Sequence, residues 1–227
     1  MSWINEVNEI KKRLKLIKEM GGKDKIKRQY DAGRTTVRER IDALVDKNSF
    51  KEIGKLTGLS EYDENGKLKK LTAANSVIGH AKINTVPVVI YGDDFTIRGG
   101  ASDAAIHEKM ITAERFANEY RLPLIRLIEG TGGGGSVKSL EKDGYTYVPA
   151  NPGWDWVVSN MATVPVISLG LGPVAGLGAA RLVSSHYSVI VKNMSQVFVA
   201  GPPVVNRLGE TVTKESLGGS HIHGKNG

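Results

Sequence analysis

The chain has 227 residues, no cysteine, 24% charged residues and a formal net charge of +7. The missing cysteines exclude disulfides, thiolate nucleophiles and cysteine zinc sites. No apolar stretch reaches the roughly 20 residues a membrane helix needs, and residues 1–9 carry acids too early for a leader peptide, so a cytoplasmic protein is expected.

Much of the positive charge lies early, at Lys11, Lys12, Arg13, Lys15, Lys18, Lys23, Lys25, Lys27 and Arg28. It fits a solvated helical face or a basic rim that attracts phosphates. No aromatic residues are interleaved with these lysines, which argues against nucleic acid as a partner. Ile4, Val7, Ile10, Leu14 and Ile17 recur at spacings of three and four, the stripe of an amphipathic helix that must dock on something and stops near Gly21 and Gly22. Thr36 followed by Glu39 reads as a capping box for a helix through Ile41 and Leu44. Residues 1–48 therefore form a helical platform, and residues 49–227 form the body.

From Phe50 the runs become short and β-branched. Strands are expected at 76–83, 86–91 and 95–97, with turns at 63–66 and 92–94. Ser102 is placed to cap a helix over 103–120, whose apolar positions Ala105, Ile106, Met110, Ala113 and Phe116 share one side. An apolar strand at 122–128, a helix at 154–161, a strand at 164–169, a helix at 176–181 and strands at 187–191 and 196–199 follow. The tail, 201–227, is rich in glycine and proline and is expected to end without a helix. Alternation of this kind predicts an α/β fold with helices outside a sheet.

Both central apolar runs empty into glycine: one into Glu129, Gly130, Thr131 and Gly132 to Gly135, the other into Gly170, Gly172, Gly176 and Gly178. Gly130, Gly132 and Gly135 satisfy G-x-G-x-x-G, but the polar segment after them and Gly144, Pro149 and Pro152 rule out the long helix a pyrophosphate needs. A P-loop match over 132–139 fails because Val137 stands where its last glycine belongs. Two readings remain. The segments are tight turns that let helices pack closely, or they are bare backbones whose N–H groups form an oxyanion hole.

Several segments in order resemble the carboxyltransferase β-type subunits of biotin-dependent acyl-CoA carboxylases, the propionyl-CoA and methylcrotonyl-CoA carboxylase family. They are AGRTTVRERIDALVDKNSF (32–50), DDFTIRGGAS (93–102), EGTGGGGS (129–136), GPVAGLGAA (172–180), FVAGPPVV (198–205) and LGGSHIH (217–223). The resemblance covers nearly the whole chain but only the N-terminal half of the family, whose subunits carry two crotonase-like domains. It implies a crotonase ββα superhelix that holds acyl-CoA, with the C-terminal carboxyltransferase domain absent from this chain.

The implied reaction moves a carboxyl group from carboxybiotin, borne by a biotin carboxyl carrier or biotin carboxylase partner, to the α-carbon of an acyl-CoA. The resemblance assigns the enolate oxygen to N–H groups of Gly132 and Gly133, with Ala175 and Gly176 as neighbouring contributors. It makes Arg98, Gly99, Gly100, Lys109, Thr131 and Gly134 candidate substrate contacts, with Arg98 and Lys109 read either as contacts to the CoA phosphates or as plain surface charges. Residues 137–151 resemble the family little, so acyl preference is expected to be set there, with Tyr145, Tyr147 or Trp154 either shaping it or serving only packing; family members assemble as hexamers. His221 and His223 lack a third metal ligand and read as boundary residues, and no biotin-attachment sequence occurs. Rival readings are a stand-alone crotonase-type hydratase or isomerase, for which only Glu129 is placed as an acid, and a non-catalytic CoA-binding assembly module.

Overall fold

The computed structural model describes residues 2–101, 106–131, 140, 141, 144 and 153–226. Three helices open the chain: α1 (Ile4–Lys18), α2 (Lys23–Asp31) and α3 (Val37–Leu44). The capping box is present, with Thr36 Oγ1 accepting from the Glu39 N–H while Glu39 Oε2 accepts from the Thr36 N–H at 2.8 Å. Strands β1 (Lys51–Ile53), β2 (Gly58–Tyr62), β3 (Leu68–Ala73), β4 (Ser76–Ile83) and β5 (Val86–Asp93) follow, then α4 (His107–Tyr120), β6 (Leu124–Thr131), α5 (Trp154–Thr163), β7 (Val166–Ala175), α6 (Leu177–Val183), β8 (Tyr187–Ile190) and β9 (Gln196–Phe198).

The main sheet runs β1-β4-β5-β6-β7-β8, and β9 pairs with the far end of β7. The pairs β1/β4 and β4/β5 are antiparallel, whereas β5 through β8 are parallel, so β5, β6 and β7 end on the same side. The hairpin β2-β3 stands apart.

Helices cover both faces of the central strands, which is why these strands read as continuous apolar runs. On one face Val37 and Ile41 of α3 pack with Val77, Ala81, Val88, Ile90, Ile125 and Leu127. On the other, Ala113 and Ala117 of α4 pack with Ile78, Val89, Tyr91, Leu124 and Val166. Each fully buried branched side chain here contributes about 1.5–3 kcal/mol.

Several expectations change. The apolar stripe of α1 docks only at its C-terminal end, where Ile17 meets Ala73 and Ile97, while Ile4, Val7 and Ile10 remain exposed. β5 runs on through Gly92 to Asp93 instead of turning. Residues 95–97 form a turn and not a strand, because the Asp94 carboxylate accepts from the Thr96 N–H at 3.0 Å and the Ile97 N–H bonds back to the Asp94 carbonyl. β7 continues through Gly170 and Gly172 to Ala175. The tail does carry helices, Lys214–Gly218, opened by a Thr213–Ser216 capping box, and Ser220–Asn226. The helix expected over 103–120 spans His107–Tyr120, and Ser102 lies outside the described residues. Among the described residues no helix is long and apolar enough to cross a membrane.

Candidate active site at the carboxyl ends of the parallel strands

Ligands of α/β sheets bind outside the carboxyl ends of parallel strands, and there Gly130 and Thr131, which open the first glycine segment, lie beside the second. Beyond a register shift after Ile128, β6 and β7 stay paired to their last residues, Gly130 opposite Val174 and Thr131 opposite Ala175. The first glycine loop therefore leaves β6 beside the point where β7 gives way to α6. Gly132, Gly133 and Gly134 lie outside the described residues.

A third backbone joins them. Arg98, Gly99 and Gly100 take positive φ values of 51°, 62° and 70° in succession, turning the chain after β5 onto β6. A Cβ at Gly100 would stand 2.8 Å from the Glu129 carbonyl oxygen and 3.0 Å from the Gly130 Cα. On α6, a Cβ at Gly178 would be 3.5 Å from the Gly130 carbonyl oxygen. Gly130 thus lies between two further glycines, one from the turn after β5 and one from the first turn of α6.

The neighbouring positions divide. Ala175 ends β7 beside Thr131. Gly176 turns the chain into α6 with φ 57° and ψ −122°, a region open to glycine alone. Its N–H, expected as an oxyanion contributor, donates to the carbonyls of Phe198 at 3.2 Å and Val199 at 3.1 Å. The amide is therefore committed to the protein, and Gly176 shapes the bend instead of donating.

Glu129 is fully buried beside this cluster. Arg40 and Gln29 donate to its Oε2, and the Arg34 Nε lies 2.9 Å from Oε1, an ion pair aligned too poorly for a hydrogen bond. Burial raises its carboxyl pKa, and the two guanidiniums offset part of that rise. All three partners come from the N-terminal helical segment, so Glu129 clasps the platform to the sheet. Gly172 leaves the room it needs, since a Cβ there would fall 2.5 Å from Oε1.

Arg98 is exposed at the rim, as a phosphate contact requires. Lys109 is not: it is 6% exposed, and its ammonium donates to the Ser76 carbonyl at 2.8 Å and sits 3.9 Å from Glu52. Burial lowers its pKa to about 8, with Glu52 opposing. It braces α4 against β4, which corrects its reading as a surface or phosphate-binding cation. Trp154 begins α5, half-buried, while Tyr145 and Tyr147 lie outside the described residues. His223 bonds the Val197 carbonyl and His221 pairs with Glu215, so both serve the packing of the tail.

A buried charge network behind the strand ends escaped the sequence reading. Arg126 on β6 pairs with Glu114 on α4, and the Arg181 guanidinium of α6 lies 4.1 Å above the Tyr91 ring. The Tyr91 hydroxyl donates to Asp93, whose other oxygen accepts the Glu129 N–H at 3.2 Å. Burial pushes the Asp93 carboxyl up, with Arg181 opposing. The available signal was a charged residue, Arg126, in the middle of an otherwise apolar strand run.

Residues 28–227 match a family model described as the carboxyl transferase domain. The chain is 32% identical over 224 residues to the mitochondrial methylcrotonoyl-CoA carboxylase beta chain of Dictyostelium discoideum, covering 96% of this chain and 36% of that protein. It is 27% identical over 223 residues to the methylmalonyl-CoA decarboxylase subunit alpha of Veillonella parvula, covering 96% of this chain and 42% of that protein. The transcarboxylase 12S structure solved with methylmalonyl-coenzyme A and methylmalonic acid superposes with a TM-score of 0.78 at 23% identity, covering 98% of this chain and 43% of that one. That likeness shows the crotonase-like α/β fold. The chain spans less than half the length of each of these relatives.

Proposed function

The chain belongs to the carboxyl transferase domain family, and on that premise we propose that it is the acyl-CoA-holding part of a biotin-dependent carboxyltransferase. The observation that carries this reading is the meeting of bare backbones at the carboxyl ends of β5, β6 and β7, with Gly130 between Gly100 and Gly178 and Thr131 paired with Ala175. Such an arrangement admits a thioester against main chain without interference from side chains. The relatives' names support the same substrate class: both contain a CoA thioester.

In this reading the acyl thioester oxygen is held by N–H groups of Gly132 and Gly133, which directly follow Thr131. Negative charge develops on that oxygen as the α-carbon loses its proton, and fixed N–H donors stabilise it without reorganising. Gly99 and Gly100 form the wall on the β5 side, Gly134 extends the first loop, Ala175 and Gly176 close the β7 side, and Arg98 meets a CoA phosphate. Carboxybiotin, delivered on a biotin carboxyl carrier or carboxylase partner, supplies the CO₂ and the ureido base. In that division of labour the task of this chain is to bind, orient and polarise the thioester. A C-terminal carboxyltransferase domain would complete the pocket for the carrier, in a hexamer as in the family.

A hydratase or isomerase needs an acid facing the thioester. Glu129 is fully buried and held by two arginines, which disfavours that rival.

Titration calorimetry with CoA and propionyl-CoA, followed by decarboxylation of methylmalonyl-CoA in the presence of free biotin, tests the proposal. Binding with biotin-dependent decarboxylation is expected. Binding without turnover would leave a CoA-binding module, and no binding would end the assignment.

A further inference from the structure

α6 is seven residues long, and its first turn carries Gly178 over the Gly130 carbonyl. The position of this short helix therefore decides how closely the end of β6 is covered. Its C-terminal carbonyls end on a buried guanidinium. Arg126 Nη1 donates to the carbonyls of Arg181 at 3.1 Å and Ser184 at 2.7 Å, and Ser168 Oγ adds a bond to the Arg181 carbonyl. The other edge of Arg126 faces Glu114 in a two-pronged pair, Nε to Oε1 and Nη2 to Oε2, both at 2.9 Å. Asn160 of α5 donates to the Glu114 carboxylate and to its backbone carbonyl, each at 3.0 Å. Arg126 and Asn160 are fully buried, and Glu114 is 1% exposed.

For stability alone this is a poor choice, because apolar residues of the same volume fill such a site as well or better. Apolar residues cannot bond the last carbonyls of a helix and so cannot set its height. The same helix is held from the side, where the Arg181 guanidinium lies on Tyr91 and Tyr91 bonds Asp93, the acceptor of the Glu129 N–H one residue before Gly130.

We propose that Arg126 is a positioning residue: by holding the Arg181 and Ser184 carbonyls against Glu114 it fixes α6, and with it Gly176 and Gly178, against Gly130, and so sets where β6 delivers the main-chain N–H groups that polarise the acyl thioester. This rests on the reading that the thioester lies at the carboxyl ends of β6 and β7.

The test uses [1-13C]propionyl-CoA bound to the whole chain, with the carbonyl resonance as readout, beside the thermal midpoint and the affinity for CoA. Wild type is expected to displace the resonance downfield, the signature of a hydrogen-bonded thioester. The double variant Arg126→Met with Glu114→Gln removes both charges at nearly constant volume. It is expected to keep its thermal midpoint and CoA affinity while losing most of that displacement. Arg126→Lys, which keeps the charge but not the fork, is expected to do the same and serves if the double variant does not fold. Full displacement in the folded variants would overturn the inference, as would a parallel loss of CoA affinity, since that marks a general structural role. No displacement in wild type would instead sink the thioester reading itself, and this inference with it.

Discussion

Glu129, at the carboxyl end of the strand that opens the glycine loop, is bonded to Arg40 of the third helix, 89 residues earlier in the chain. This contact and the Arg34 ion pair make the helical platform part of the site's foundation. Replacing Glu129 with Gln leaves two guanidiniums, 8% and 15% exposed, against a neutral amide. Removing one partner of a buried ion pair costs about 3–5 kcal/mol, a large share of a domain's stability. Denaturant unfolding should show a loss of about 3 kcal/mol. If decarboxylation is measured where the variant stays folded, it should persist. Complete loss of turnover in a folded Glu129→Gln chain would restore Glu129 as a reacting acid and favour the hydratase reading.

Gly172 gives a second handle on the same contact. An alanine methyl there would lie 2.5 Å from Glu129 Oε1 and 2.7 Å from its Cδ, well inside van der Waals contact, and the carboxylate would have to leave its arginines. Gly172→Ala should destabilise by about 2–4 kcal/mol. Because the clash and the ion pairs share one side chain, the cost should be non-additive with Glu129→Ala, and the double variant should be only slightly worse than Glu129→Ala alone. Additive losses in denaturant unfolding would show that Gly172 serves some other contact.

The alternation of strands and helices was legible because buried parallel strands are apolar throughout and amphipathic helices repeat every three to four residues, as in Val37 and Ile41. The capping box at Thr36 and Glu39 was legible because it is local chemistry. Illegible were features set by distant partners. Gly172 reads as a breaker, yet it is strand backbone making room for Glu129. Lys109 reads as a surface charge, yet the Ser76 carbonyl draws it inside. The free stripe of the first helix gave no sign that only Ile17 would dock. At the site, Gly130 and Gly176 mark the carboxyl ends of β6 and β7, but no local pattern shows that the Gly176 amide is taken by Phe198 and Val199, 22 and 23 residues later.

The turn after the fifth strand offers a paired comparison. Gly99 and Gly100 share positive φ, so alanine at either costs about 1 kcal/mol of backbone strain. At Gly99 the new methyl would meet, among the described residues, only the Phe95 ring at 3.7 Å, an ordinary contact. At Gly100 it would press on the Glu129 carbonyl at 2.8 Å and the Gly130 Cα at 3.0 Å. Gly99→Ala should therefore weaken propionyl-CoA binding far less than Gly100→Ala does. Gly100→Ala should lose roughly tenfold or more in affinity, about 1.4 kcal/mol. Equal affinities for the two variants in titration calorimetry would remove the turn from the acyl-CoA site.

Lys109 supplies the pH dependence. Burial holds its pKa near 8 in the folded chain, against about 10.4 in an unfolded one. Between these values the unfolded chain binds more protons at this group, so folding stability gains from Lys109 as pH rises from about 8 to about 10.4, and below 8 the full penalty of a buried ammonium is present. The swing is of order 3 kcal/mol, and the pKa near 8 already includes the opposing pull of Glu52. Lys109→Met removes the group while leaving all other titrations in place, so the stability difference between variant and wild type isolates it. That difference should favour the variant most near pH 7 and shrink toward about pH 10. A difference flat across this range would mean that the ammonium is solvated in the folded chain and free to reach a ligand. CoA affinity makes the companion measurement: an ammonium committed to the Ser76 carbonyl has no phosphate to hold, so Lys109→Met should bind CoA as tightly as wild type.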